Sequence, residues 1–218
     1  MAQIFHPSMK VLSKASIIAV AIVVGVIGIV GGAMYRSGYT TNVGNPREQI
    51  VPFSHEHHVS GLGLSCAYCH TSAEKSSFAG IPPTQTCMTC HSQIWNTAPI
   101  LEPVRQSYAS GASLEWIRVH DLPDFVYFNH SIHVSKGVGC QTCHGRVDKM
   151  PLTWSVNTLH MSWCLDCHRA PEKYVRPKSE IYSMTWTPGP NQLEEGRALV
   201  VKNDIRTKQL TDCSICHR

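Results

Sequence analysis

Ten cysteines and five histidines fall into five copies of one pentapeptide, Cys-x-x-Cys-His, and no cysteine is left over. The copies are Cys66-Ala-Tyr-Cys69-His70, Cys87-Met-Thr-Cys90-His91, Cys140-Gln-Thr-Cys143-His144, Cys164-Leu-Asp-Cys167-His168 and Cys213-Ser-Ile-Cys216-His217. Two thiols three residues apart can add to the two vinyl groups of one haem, and the adjacent imidazole then reaches the iron from the same side. Each copy therefore reads as a covalent haem c site, five in all, with His70, His91, His144, His168 and His217 as proximal ligands. Half a zinc site or a redox dithiol also uses Cys-x-x-Cys, but neither calls for a histidine directly after the second cysteine five times. With every thiol committed in this way, the even cysteine count does not argue for disulfides.

The motifs begin at 66, 87, 140, 164 and 213, which makes two close pairs and a single. Phe53-Ser-His55-Glu-His57-His58 precedes the first pair, and Phe128-Asn-His130-Ser-Ile-His133 precedes the second. An internal repeat over 53–91 and 128–168 is the economical explanation. Histidines three apart on a helical turn share a face and can address two different irons. His55, His58, His130 and His133 are thus the expected distal ligands. His6 lies ahead of an apolar run and is excluded. The fifth distal position stays open among His120, His160, Met150 and Met161, and His57 is expected to be exposed or to bond a propionate.

Phe-x-His-x-x-His ahead of Cys-x-x-Cys-His resembles the class III multihaem cytochromes, in which both such histidines are distal ligands. Residues 116–150, followed by Trp163-Cys164-Leu-Asp-Cys167-His168-Arg169, resemble more narrowly the membrane-anchored pentahaem cytochrome subunit of alternative complex III. That likeness extends over nearly the whole chain and favours His120 as the fifth distal ligand. It implies an electron-transfer subunit whose partners are an iron-sulfur subunit, quinol-oxidising integral membrane subunits and a monohaem cytochrome c. The competing class is an anchored quinol dehydrogenase or a donor to a nitrite or nitrate reductase. Reductases of this kind often replace a proximal His by Lys, whereas all five motifs here end in His. The quinol dehydrogenases of nitrite respiration place Met two residues after the first motif's His, where this chain has Ser72.

Other elements must position these groups. Residues 15–34 are uncharged and mostly apolar, and as a helix they span about 30 Å, the thickness of a bilayer core. Lys10 and Lys14 before the run against Arg36 after it place residues 1–14 in the cytoplasm, make 15–35 a single-pass anchor in a bacterial inner membrane, and export 36–218 to the periplasmic side. A cleaved signal peptide is the competing reading, but the apolar run exceeds the usual signal core. Ala21, Gly25, Gly28 and Gly32 line a helix with small residues suited to close helix contact.

The exported part offers about 37 residues per haem, too few for a separate core around each, so the haems must pack against one another. The expected fold is mostly α and irregular, a class III-like haem-packed domain with little sheet and with Pro- and Gly-rich loops. A helix is expected within 192–202, with connecting segments over 92–127 and 169–212. Trp95, Trp116, Trp154, Trp163 and Trp186, with Phe53 and Phe128, are candidates to flank porphyrin faces. The formal charge of +4 comes without a basic run, and two propionates per haem outweigh it, so a nucleic-acid role is rejected.

Overall fold

The computed structural model describes residues 6–217. Residues 1–5, part of the expected cytoplasmic N-terminus, and Arg218 lie outside the described residues. The chain divides into two units, with the boundary between Val43 and Gly44.

The first unit is dominated by one helix, Ser8–Arg36, none of whose residues is buried. By length and composition it can cross a membrane. Its 29 residues rise about 43 Å at 1.5 Å each, more than a hydrocarbon core requires. Ser37 ends it with an extended backbone, and the hydroxyls of Ser37 and Thr40 both donate to the Met34 carbonyl, at 2.7 and 2.8 Å, satisfying an acceptor the last turn leaves open.

The second unit is built from short helices and irregular segments. Among the described residues the only β feature is an isolated antiparallel bridge between Val138 and Val175. Every attachment motif lies on a helical turn: Cys66–Cys69, Thr84–His91, Cys140–His144, Met161–Arg169 and Cys213–Cys216. Helices of four or five residues do not hold themselves in water, so tertiary contacts must fix them. The repeat is visible as a π-helical turn over Glu56–Gly61 and an α-helix over His130–Ser135.

The buried apolar set is small. Val51, Leu101 and Val104 form one cluster, against which Cys87, Met88, Leu114 and Trp116 pack. Met150 and Val175 are the largest side chains that are fully enclosed. Val104 belongs to an element absent from the sequence expectation, a helix over Glu102–Ser110 inside the 92–127 connection, and Leu101 is its N-cap residue. Pro103 suits its first turn, Arg105 pairs with Glu102 one turn away, and buried Ser107 donates to the Ala112 carbonyl at 2.5 Å. The helix at Gln192–Lys202 has the expected span. It lies so close to the turn at Pro171–Lys173 that a Cβ on Gly196 would fall 1.9 Å from the Glu172 carbonyl oxygen, so only glycine fits there.

Candidate haem-binding site

The two repeats place their ligands in the same way. Phe53 stacks on His58 (centroids 4.4 Å apart, 24° between planes) and meets His55 edge-on (4.9 Å, 88°). Phe128 stacks on His133 (4.5 Å, 26°) and meets His130 edge-on (4.7 Å, 90°). These phenyl rings lie against the imidazoles of their own repeat and hold its two rings apart.

Four ring pairs follow. His55 faces His70 at 6.5 Å, His58 faces His91 at 6.2 Å, His130 faces His144 at 6.4 Å, and His133 faces His168 at 6.1 Å. With a metal–nitrogen bond of about 2.0–2.1 Å on either side and about 1.2 Å from Nε2 to each ring centre, two imidazoles on opposite faces of one iron have centroids roughly 6.4 Å apart. The donor set therefore fits haem iron held between two histidines in each of the four pairs. In both repeats the first histidine faces the first motif of its pair and the second histidine faces the second.

Hydrogen bonds at the far nitrogen settle which atom is free to bind. Nδ1 of His70 donates to the Gly80 carbonyl (2.7 Å), that of His91 to Ile94 (3.1 Å), that of His168 to Leu210 (2.8 Å) and that of His217 to Phe125 (3.1 Å). Distal His58 and His133 donate four residues back, to the Ser54 and Asn129 carbonyls at 2.8 and 2.7 Å, and His130 donates to Ser77 at 2.9 Å. A carbonyl only accepts, so Nδ1 carries the proton and Nε2 presents its lone pair. His55 Nδ1 instead pairs with the Thr153 hydroxyl at 3.1 Å.

Burial favours the neutral, coordinating form of these rings. It lowers His55 to about 4 and His144 to about 3, and the neighbouring histidines add to both shifts. His58 and His133 are lowered as well, by burial first and against the opposing pull of their backbone bonds.

His120, favoured at sequence level for the fifth iron, lies against His144 (4.3 Å, 70°), with its Nε2 buried and without a hydrogen-bond partner. The ring stacked beside His217 is Phe125, at 5.9 Å. The structure thus sets His120 beside His144 of the third motif. Of the alternatives, Met150 is enclosed at 1% exposure while Met161 is 61% exposed. His57 is exposed and stacks on Trp95 at 5.7 Å.

No two of the ten thiols are joined as a disulfide. Among the described residues no cluster of three or more His, Cys, Asp or Glu side chains is placed to hold a metal ion directly. Burial raises all the shifted thiols first, and the secondary influences reveal neighbours. Cys87 feels Cys69; Cys140, pushed up to about 11, feels Cys66; Cys143, pushed up to about 12, feels Cys167; and Cys164 feels Cys216. His130, which faces His144 of the third motif, donates to the Ser77 carbonyl after the first; His130 and His133 on one turn face the third and fourth; and His168 of the fourth donates to the Leu210 carbonyl ahead of the fifth, so the motifs follow one another in space as second, first, third, fourth, fifth. A hydrogen bond from Tyr68 to Thr89 (3.1 Å) ties the first two together, and Tyr127 N–H donating to the Cys216 carbonyl (2.8 Å) ties the second repeat to the last motif. Cys90 and Cys213, at the two ends of this series, are the exposed cysteines.

The carbonyl anchors at Ser77, Gly80, Ile94 and Leu210, and the Thr153 hydroxyl, escaped the sequence reading. A backbone acceptor leaves no signature in residue type, and Thr153 is remote from His55 along the chain.

Two comparisons with known proteins bear on the site. The family described as cytochrome c7 and related cytochrome c matches residues 126–218. The multiheme cytochrome c subunit of the menaquinone reductase of Nitratidesulfovibrio vulgaris is 34% identical over 143 residues, covering 56% of this chain and 68% of that protein.

Proposed function

The chain belongs to the multihaem cytochrome c family, and from that premise we propose that it relays electrons through five covalent haem c groups as a subunit of a membrane quinone oxidoreductase complex. The observation that carries this reading is the set of four imidazole pairs at 6.1 to 6.5 Å, with Nδ1 hydrogen-bonded in seven of the eight rings. Bound haem iron supplies one-electron transfer between its ferrous and ferric states.

The chain's own residues do the rest. Cys66 and Cys69, Cys87 and Cys90, Cys140 and Cys143, Cys164 and Cys167, and Cys213 and Cys216 attach the five groups. His70, His91, His144, His168 and His217 would hold the irons as proximal ligands, and His55, His58, His130 and His133 would supply the second imidazole to the first four. Two imidazole ligands would leave such an iron no open coordination position, which suits relay and disfavours substrate chemistry there. Phe53 and Phe128 fix the distal rings. The spatial series of motifs makes a single file, with the exposed ends at Cys90 and Cys213 as points of entry and exit.

The helix Ser8–Arg36 anchors the chain, with the haem domain on the periplasmic side. An assembly of the alternative complex III type, with an iron-sulfur subunit, quinol-oxidising membrane subunits and a monohaem cytochrome c as neighbours, is the finer form of this proposal.

Intact mass spectrometry of the purified chain is expected to show five added haems, and the oxidised protein is expected to be low-spin at the four paired irons. A mass without added haem removes the proposal. High-spin iron at any of the four pairs that binds nitrite or CO replaces relay with catalysis.

A further inference from the structure

Arg176 is 3% exposed and takes part in none of the ion pairs among the described residues. Its guanidinium lies over the Trp186 ring at 4.2 Å. One terminal nitrogen donates to the Ser183 carbonyl at 3.2 Å, with longer approaches of 3.5 Å to the Glu180 carbonyl and to the Gln141 side chain, and the other donates to the Thr142 hydroxyl at 3.0 Å. Its Nε is buried with no partner.

The fold is shaped around this side chain. The Val138–Val175 bridge and a bond from Arg176 N–H to the Gly137 carbonyl (2.9 Å) bring the residue to the third attachment motif. A Cβ on Gly139 would fall 2.4 Å from the guanidinium carbon, so the residue just before Cys140 must lack a side chain for the arginine to fit. Gln141 and Thr142, the two residues between Cys140 and Cys143, are both among its contacts.

Burying a cation without a carboxylate in contact is strongly unfavourable. Hydrogen bonds to neutral acceptors and an aromatic face offset only part of that. Guanidinium does not shed its proton in proteins, so the charge is permanent. Glu180 is the nearby acid, and it presents its backbone carbonyl to the guanidinium rather than its carboxylate. The contacts to Gln141 and Thr142, between Cys140 and Cys143, set the guanidinium on the thioether side of the haem those cysteines would attach, away from that group's own propionates.

We propose that Arg176 is a fixed buried cation that raises the reduction potential of the haem attached at Cys140 and Cys143; this rests on the haem reading above. The ferric core carries one more positive charge than the ferrous core. A cation held nearby in a medium of low dielectric therefore favours the ferrous form. The central member of the series is thereby set as an electron sink relative to its neighbours.

The test is a spectropotentiometric titration of the full-length, haem-loaded protein and of three variants. Arg176→Gln is expected to move one of the five steps to lower potential by at least a tenfold change in its ferrous-to-ferric ratio, which is 59 mV for one electron, with the other four steps shifting less. Arg176→Lys, which keeps the charge and loses the fork, is expected to stay near the wild-type value. Gln141→Glu leaves the arginine in place but sets a carboxylate against it, and is expected to lower the same step. Five unmoved steps in Gln141→Glu with all haems retained overturn the proposal, even where Arg176→Gln fails to fold. A drop in Arg176→Lys as large as in Arg176→Gln also overturns it, since the role is then packing. Wild-type protein without haem is a different outcome and defeats the functional reading itself.

Discussion

The two repeats use the same ligand kit in different surroundings. In the first, the distal histidines sit on or beside the π-helical turn Glu56–Gly61, which includes exposed His57. In the second they lie on the α-helix His130–Ser135, whose N-cap residue Asn129 accepts from Ile132 N–H at 3.3 Å. His55 is steadied by Thr153, from the loop after the third motif, and His130 by the Ser77 carbonyl, from the loop after the first. Each repeat thus steadies the first histidine of the other. The thiols also differ: Cys140, Cys143 and Cys167 in the second pair of motifs are pushed to about 11, 12 and 11, whereas Cys90 at the far end of the first pair is exposed. Identical ligands at unequal burial make unequal sites, because a drier site favours the less charged ferrous form.

The strongest way to break this comparison is to remove attachment sites. Replacing both Cys140 and Cys143 by alanine is expected to abolish accumulation of folded protein, because this site is central and buried. Replacing Cys213 and Cys216 at the exposed end is expected to remove one haem and leave four. Haem-stained yield and intact mass decide between them, and equal losses would contradict a spatial centre at the third motif.

Next in size are the phenyl rings. Phe128→Ala and Phe53→Ala each remove a ring packed on two distal imidazoles. Both rings are half-buried, so each substitution is expected to cost toward the lower end of roughly 3–5 kcal/mol. Both should disturb low-spin signals from two irons at once. Electron paramagnetic resonance together with denaturant unfolding measures the two effects, and a change confined to one iron would contradict the shared geometry.

The smallest expected effect concerns the seam between the repeats. Asp148 is held by a two-point contact from Arg146 (2.8 and 2.7 Å), and the Ser60 hydroxyl donates to the Asp148 carbonyl at 2.6 Å. The Arg146 hydrogen bond, against the opposing effect of burial, holds the Asp148 carboxyl below the ordinary aspartate range. A depressed carboxyl contributes stability that is present above its unfolded value near 4 and is lost as pH falls through the folded value. With Arg146 well exposed, the contribution is about 0–1 kcal/mol. Asp148→Asn should flatten the acid limb of the stability profile by that amount and leave neutral-pH haem spectra unchanged.

Much of the site was legible because its chemistry is local. Cys-x-x-Cys-His places both thiols and the proximal imidazole within five residues, and Phe-x-His-x-x-His places both distal rings on one turn. The helix over Gln192–Lys202 was legible from its apolar spacing. The helix over Glu102–Ser110 was not, although Pro103 near its start is a signal that could have found it. Its stability rests on Leu101 and Val104 meeting Val51 from a distant part of the chain. His120 shows the same limit: a lone histidine outside any repeat carries no mark of its partner, and the fold set it against His144.

Sequence alone determined the number and kind of attachment motifs, the pairing of the repeats and the apolar helix ahead of them, because each is written in residues a few positions apart. Only the tertiary structure decided the spatial order of the motifs, the distant carbonyls that fix the protons of His130, His168 and His217, and the burial of Arg176 beside Cys140. Those depend on which distant backbone and side-chain groups are brought into contact, and contact at that range is a property of packing that no short spacing encodes.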